Sequence, residues 1–229
     1  MHTDITTFNL KHLFGSKKGT NRNKNQDRFL IIEKDRYSLF MVFDGVSSNQ
    51  TSYLFINEFK KRVMFESKVA EISENTLDKV LYEINKKLIQ SGLQGMSTLS
   101  LLFFNKIRNN VEFLNIGDSR IYIFTNQYLE KITEDDALLG RNNIITKYLG
   151  LEALTLDDFQ LEKTSKDCNY LLCTDGFYTL MENELKEYFK TLNFRKLQNV
   201  KKKLLSLQKG NNSDDSSYII IKNEISNRD

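Results

Sequence analysis

Apolar positions along the chain follow two rhythms. Short runs rich in β-branched and aromatic residues predict strands at Arg28 to Ile32, Tyr37 to Phe43, Thr98 to Phe104, Val111 to Ile116, Ile121 to Phe124 and Tyr218 to Ile221. Another such run ends at Thr174-Asp175-Gly176. Between them the period lengthens to that of a helix. Phe55, Ile56, Phe59 and Val63 share a face over Ser52 to Glu66, as do Leu77, Val80, Leu81, Ile84 and Leu88, with Asn75 as the expected N-cap. Two more helices are expected, over Glu182 to Leu192 and around Leu197, Val200 and Leu204.

The connections shape the fold class. The charged turn Glu33-Lys34-Asp35-Arg36 makes the first two strands a hairpin, and Asn109-Asn110 opens a meander through the next three runs. In an antiparallel hairpin the start of one strand neighbours the end of the other, so Asp27 is predicted beside Asp44. Residues 126–168, broken by Gly140 and Gly150, read as loop and short helix, and residues 1–20 as a polar, flexible lead-in. Strands in hairpins and helices in pairs indicate an α+β architecture with antiparallel sheets. With no repeat and no linker, residues 1–229 form a single domain on this reading.

Composition narrows the function classes. Hydrophobic residues make up 40% of the 229, a globular proportion. A net charge of +3, from 33 basic and 30 acidic residues, does not provide the basic stripe of a nucleic-acid binder. Lys201-Lys202-Lys203 reads as a solvated helix face. Cys168 and Cys173 are too few for a disulfide framework or a zinc site. Met1-His2-Thr3-Asp4 lacks a signal pattern and no apolar run reaches membrane-spanning length, so the expectation is a cytoplasmic protein without a membrane partner.

The chemistry lies in acids at strand ends. Leu39-Phe40-Met41-Val42-Phe43 runs straight into Asp44-Gly45, and the same grammar returns at Cys173-Thr174-Asp175-Gly176 and, rearranged, at Ile116-Gly117-Asp118-Ser119-Arg120. Asp27, Asp44, Asp118, Asp175 and Asp214 gathered in one place would repel one another and raise each other's pKa. Divalent cations relieve that repulsion. The only histidines are His2 and His12, so an all-oxygen site selects Mg²⁺ or Mn²⁺. Two such ions sharing carboxylates suit phosphate hydrolysis by an activated water. Arg22 provides a fork for phosphate oxygens. Arg120 is a second candidate, but an ion pair that fixes its own turn is the better reading for it.

Six segments in order carry a resemblance: Arg22…Asn25-Gln26-Asp27, Val42-Phe43-Asp44-Gly45, Gly95-Met96-Ser97-Thr98, Asn115-Ile116-Gly117-Asp118-Ser119-Arg120, Leu171-Leu172-Cys173-Thr174-Asp175-Gly176 and Asp214-Asp215-Ser216-Ser217-Tyr218-Ile219-Ile220. From Arg22 to Lys222 the chain resembles the metal-dependent type-2C (PPM) serine/threonine protein phosphatases in their compact bacterial form. The resemblance implies a four-layer αββα sandwich of two antiparallel sheets flanked by pairs of helices. It implies that Asp44 bridges two Mn²⁺ or Mg²⁺ ions, that the Gly45 carbonyl binds one, and that Asp27 acts through metal-bound water. Asp175 and Asp214 would complete the pair, Asp118 would serve a third, weaker ion, and Arg22 would hold the substrate phosphate. Phosphorylated proteins are the implied substrates, with a Ser/Thr kinase as the opposing partner, and residues 138–166 are the implied variable flap that sets specificity.

The chain departs from the family at three places. Val46-Ser47-Ser48-Asn49 stands where relatives place a histidine, so protonation of the leaving group falls to metal-bound water. Asp136 replaces another histidine of the family. Asp214 and Asp215 compete for one ligand role; Asp214 is favoured because Asp215 then takes the family's Asn position. Two other readings compete with an active phosphatase. One is a catalytically silent phosphatase-like binding or regulatory module. The other is a phosphohydrolase with an aspartyl nucleophile, which wants a second acid where Val46 stands.

Overall fold

The computed structural model describes residues 8–46, 51–69 and 72–223. The substituted stretch Ser47-Ser48-Asn49 and the segment Met1-His2-Thr3-Asp4 lie outside the described residues, as does the side chain of Asn75.

Two five-stranded antiparallel sheets face each other. One has the order β10-β5-β4-β3-β2, with β2 Arg28–Glu33, β3 Tyr37–Phe43, β4 Leu99–Asn105, β5 Asn110–Ile116 and β10 Glu162–Thr164. The other runs β1-β12-β11-β6-β7, with β1 Leu10–Lys17, β6 Arg120–Phe124, β7 Leu129–Lys131, β11 Asn169–Cys173 and β12 Ser216–Asn223. A two-stranded hairpin of β8 Ala137–Leu138 and β9 Arg141–Ile145 stands apart. The central layer is apolar on both sides: Phe40, Val42, Leu102 and Phe104 meet Ile121, Tyr170, Leu172, Ile219 and Ile221. On the first sheet's outer face lie α1 Ser52–Val69 and α2 Glu74–Gln90, of whose predicted apolar residues Phe55, Ile56, Phe59, Val63, Leu77, Leu81, Ile84 and Leu88 are buried and Val80 partly so. On the second sheet lie α3 Asp175–Asn183, α4 Leu185–Leu192 and α5 Leu197–Leu207, buried through Phe177, Met181, Tyr188, Val200 and Leu204. The architecture is the expected αββα sandwich, with three helices on one side instead of a pair. No helix among the described residues is long and apolar enough to cross a membrane.

Several sequence expectations change. Residues 10–17, read as a flexible lead-in, form β1, which pairs along its whole length with β12. It is an edge strand with only partly covered side chains, so its apolar signal is weak. The expected meander holds for β4 and β5 only. At Gly117, with φ +99°, the chain turns and β6 enters the opposite sheet; a Cβ at Gly117 would also come within 2.7 Å of the Thr98 side chain. The helix expected from Glu182 is two helices, and α3 begins earlier, at Asp175 itself, with Thr174 as N-cap. Ser73, not Asn75, caps α2, with the Thr76 hydroxyl accepting the Ser73 N–H at 3.0 Å.

Residues 126–168 contain the expected short helix, a 3-10 turn at Leu156–Phe159, and more strand than expected. Beyond the β8–β9 hairpin, Leu149 pairs with Ser97 through both backbone groups, and Gly150 N–H donates to Asn85 Oδ1 at 2.8 Å. Leu154 and Phe159 are buried against α1 and α2. Within the span 138–166, Leu139 at the hairpin tip is 99% exposed.

Candidate functional site

The acids converge where strand ends of the two sheets meet. Arg28 pairs with Phe43 in the β2–β3 register, so Asp27 and Asp44 are the next facing positions, as the hairpin predicted. Asp44 closes β3 and is held by backbone: its N–H donates to Thr98 Oγ1 at 3.0 Å and its carbonyl accepts the Thr98 N–H at 2.9 Å. Gly45 bridges to Ser97, packed so closely on Gln26 that a Cβ would fall within 2.8 Å of it. Asp118 follows the Gly117 turn. Asp175 opens α3, where the N-terminal peptide dipoles favour a carboxylate. Gly176 permits the next approach, since a Cβ there would lie 2.0 Å from the Asp215 carbonyl oxygen.

Electrostatics link these acids into one cluster. Burial raises the Asp44 pKa well above the carboxylate range, and the charges of Asp27, Asp175 and Asp118 push it further. Burial lifts Asp27 to about 8, aided by Asp215 and Asp175, while bonds from Ser217 and Thr174 hold it down. Asp118 is lifted to about 7, chiefly by burial and then by Asp175. Asp175 is raised by burial and by Asp214, and is within hydrogen-bonding reach of Asp44. These groups cannot all ionise together without a counter-charge.

Asp214 and Asp215, adjacent in sequence, are used differently. Asp215 is buried and both its oxygens accept backbone amides, from Gly19 at 2.9 Å and Gln26 at 2.8 Å. It staples the segment that carries Arg22 and Asp27. Asp214 is half-buried and takes both prongs of Arg22, with Nε at 2.5 Å and Nη2 on the other oxygen. Asp214 in turn holds the Arg22 guanidinium firmly charged. Arg22 therefore faces a carboxylate in this structure, while Asp175 and Asp215 also act on its charge.

Arg120 is fully engaged. It forks onto Asp135, with its shortest contact 2.6 Å, meets Glu182 at 2.6 Å, and stacks 3.7 Å from the Tyr178 ring centre. The ion-pair reading is correct for this residue. Asp136, at the second altered position, accepts the Gly117 N–H at 2.9 Å and so ties the hairpin base to the Asp118 turn.

Three hydroxyls that the sequence reading did not single out, those of Thr98, Ser119 and Thr174, hold the acids across the two sheets. Thr98 and Ser119 meet at 2.6 Å, joining the Asp44 backbone to the Asp118 turn. Thr174 donates to Asp27 Oδ2 at 3.0 Å and accepts the Ser217 N–H at 2.9 Å. Their type is ordinary, and partners 21 to 147 residues apart leave no local signal.

Hard divalent cations fit this donor set. It is all oxygen, its acids are driven toward protonation by proximity, and buried Asp27, 2% exposed, presents an Oδ1 with no hydrogen-bond partner. Among the described residues no three acid, histidine or cysteine side chains close into a ready ligand shell, as Asp214 is turned to Arg22 and Asp27 Oδ2 to Thr174.

No family model matches the chain. It is 27% identical over 210 residues to the serine/threonine phosphatase stp of Listeria monocytogenes serotype 4b, covering 78% of this chain and 82% of that protein. The fold matches the PPM Ser-Thr phosphatase MsPP of Mycobacterium smegmatis in complex with cacodylate, with TM-score 0.74 at 17% identity over 93% of this chain and 97% of that one. It also matches the catalytic domain of the phosphatase PstP in complex with two manganese ions, with TM-score 0.70 at 18% identity over 95% and 99% of the two chains. The six motifs fall at the strand ends and turns that assemble the acid cluster, and the chain is similar in sequence to bacterial serine/threonine phosphatases and shares the fold of the PPM phosphatases.

Proposed function

We propose that the protein hydrolyses phosphoserine and phosphothreonine in proteins with two bound Mn²⁺ or Mg²⁺ ions. The observation that carries the reading is the mutual raising of Asp27, Asp44, Asp118 and Asp175, four acids brought together by both sheets with an unpartnered buried oxygen on Asp27. Asp44, central among them, would hold the ions together with Asp175, Asp214, Asp27 and the Gly45 carbonyl, and Asp118 would serve a third, weaker position. The commitment of both Asp215 oxygens to backbone amides supports Asp214 as the ligand of that pair. The ions, when bound, supply a water of lowered pKa and neutralise phosphate charge.

The chain's own residues do the rest. Arg22 orients the phosphate through its two-pronged fork, exchanging Asp214 for the substrate. Thr174 and Thr98 keep the acids at fixed orientation, so little reorganisation is needed on binding. Arg120 is a strut and takes no part in substrate binding. The substrates are phosphorylated proteins, the products of a Ser/Thr kinase.

The test is hydrolysis of p-nitrophenyl phosphate and a phosphothreonine peptide with Mn²⁺, with chelator, and in Asp44→Asn and Asp175→Asn. Activity is expected with Mn²⁺ alone and lost, by at least about 10³-fold, in the other arms. Turnover that survives chelation or either substitution sinks the mechanism. Inactivity of a folded, Mn²⁺-loaded wild type would favour a silent binding module.

A further inference from the structure

Beside the acids lies a face of the opposite sign. Lys24 and Arg28 flank Asp27 in the chain, and Tyr53, Asn57 and Lys60 follow one another along α1 at helical spacing. The Lys24 Nζ lies 3.2 Å from the Tyr53 ring centre, and the Arg28 guanidinium lies 5.8 Å from it. Arg28 reaches Asn57 Oδ1 at 3.2 Å and donates to the carbonyls of Asn25 and Asp27 at 3.0 and 2.7 Å. Lys60 lies 6.0 Å from the Phe29 ring centre, its pKa lowered by burial and further by the Arg28 charge.

Among the described residues, none of these three cations has a carboxylate partner. Their neighbours on α1 behave otherwise, since Lys61 and Arg62 both pair with Glu58. The four residues between Val46 and Thr51 add no acid, being Ser47, Ser48, Asn49 and Gln50. Cations assembled without a counter-charge repel one another, and a bound anion removes that cost.

We propose that the Lys24–Arg28–Lys60 face docks acidic side chains of the substrate, Asp or Glu a few residues from the phosphorylated position. This rests on the phosphatase reading and names the substrate class it selects. The Arg28 fork is committed to carbonyls and Asn57, which leaves the single ammonium groups of Lys24 and Lys60 to meet the substrate. That suits separate carboxylates better than the bidentate grip of a second phosphate. The adjoining acid cluster repels a long polyanion such as nucleic acid, and admits a peptide that carries a single phosphate.

The test measures binding to the Mn²⁺-loaded full chain of two labelled peptides that carry a non-hydrolysable phosphonate in place of phosphothreonine. One is flanked by Glu and the other by Gln. Two ion pairs at the surface, Lys24 exposed and Lys60 half-buried, predict about 3- to 10-fold tighter binding of the Glu peptide at low salt. The gap should close at high salt and vanish in Lys24→Glu/Lys60→Glu, and shrink in Lys24→Gln/Lys60→Gln, with p-nitrophenyl phosphate turnover unchanged in both. Equal affinities, a gap that persists in the variants, or a gain only when a second phosphate replaces the glutamates would overturn the proposal. Absence of wild-type p-nitrophenyl phosphate turnover would count against the phosphatase reading instead, and the affinity gap would still report on the face.

Discussion

Arg22 and Arg120 both border the acid cluster, and both lie in motif segments, yet their surroundings differ. The Arg120 side chain is 13% exposed and closed in by Asp135, Glu182, Tyr122 and the face of Tyr178. Arg22 is 30% exposed and faces one side chain, Asp214, itself only half-buried. A guanidinium with several partners, of which Asp135, Tyr122 and Tyr178 are at least partly buried, is a structural brace, because moving it would strand them. One with a single accessible carboxylate can trade that partner for a phosphate at little cost. Residue type alone gives both the same chemistry; the number and burial of their partners separate the two roles.

The largest effect that would break this contrast is catalytic. Arg22→Ala should lower kcat/KM on a phosphothreonine peptide by about 10²- to 10³-fold, as for loss of one preorganised donor to a developing charge, with the melting temperature little changed. Steady-state kinetics beside thermal denaturation read both quantities. Equal loss of activity and stability would make Arg22 a brace like Arg120.

Arg120→Ala should do the reverse. It leaves poorly solvated Asp135 with only Lys131, 3.3 Å away, a loss of about 3 kcal/mol in stability. For a chain of this size that lowers the melting temperature by roughly 6–12 °C. If the variant keeps its melting temperature but loses turnover, the assignment of the two arginines is inverted.

A third, smaller effect concerns the acids between them. The Asp27 and Asp118 pKa values stand at about 8 and about 7 in the fold, above an unfolded value of 3.8. The folded chain therefore holds protons that the unfolded chain has already released. Without cations, stability falls as pH rises through that window, and is lower at pH 8 than at pH 6. Chelated protein should melt at a lower temperature at pH 8, and Mn²⁺ should remove the difference. A chelated melting temperature that rises from pH 6 to 8 contradicts the linkage.

The smallest effect tests the hydroxyl braces. Thr174→Val removes the bond to Asp27 and should weaken Mn²⁺ binding several-fold, by about the 1–2 kcal/mol of one bond to a charged group, while Thr174→Ser restores it. Calorimetric titration of the three proteins would show it, and equal affinities would leave Thr174 without a positioning role.

The sequence made some of this legible and hid the rest for physical reasons. The β2–β3 hairpin, and with it the meeting of Asp27 and Asp44, follows from two short β-branched and aromatic runs and a charged turn, because pairing is local. Sheet membership does not follow. β6 looks like the next strand of a meander, and only the left-handed Gly117 sends it to the other sheet. The start of α3 was hidden because Thr-Asp-Gly is also good turn chemistry, and the apolar residues that fix the helix begin after it. The Arg22–Asp214 pair joins residues 192 apart, beyond any local pattern. Lys24, Arg28 and Lys60 stand out only once the partners of each charge are known.

The central claim is that these acids hold a pair of cations, and titration calorimetry with Mn²⁺ on the metal-free chain tests it most directly. Two ions per chain are expected, with the tighter step lost in Asp44→Asn and retained in Arg120→Lys. Absence of binding to the folded wild type, or undiminished binding in Asp44→Asn, would contradict it.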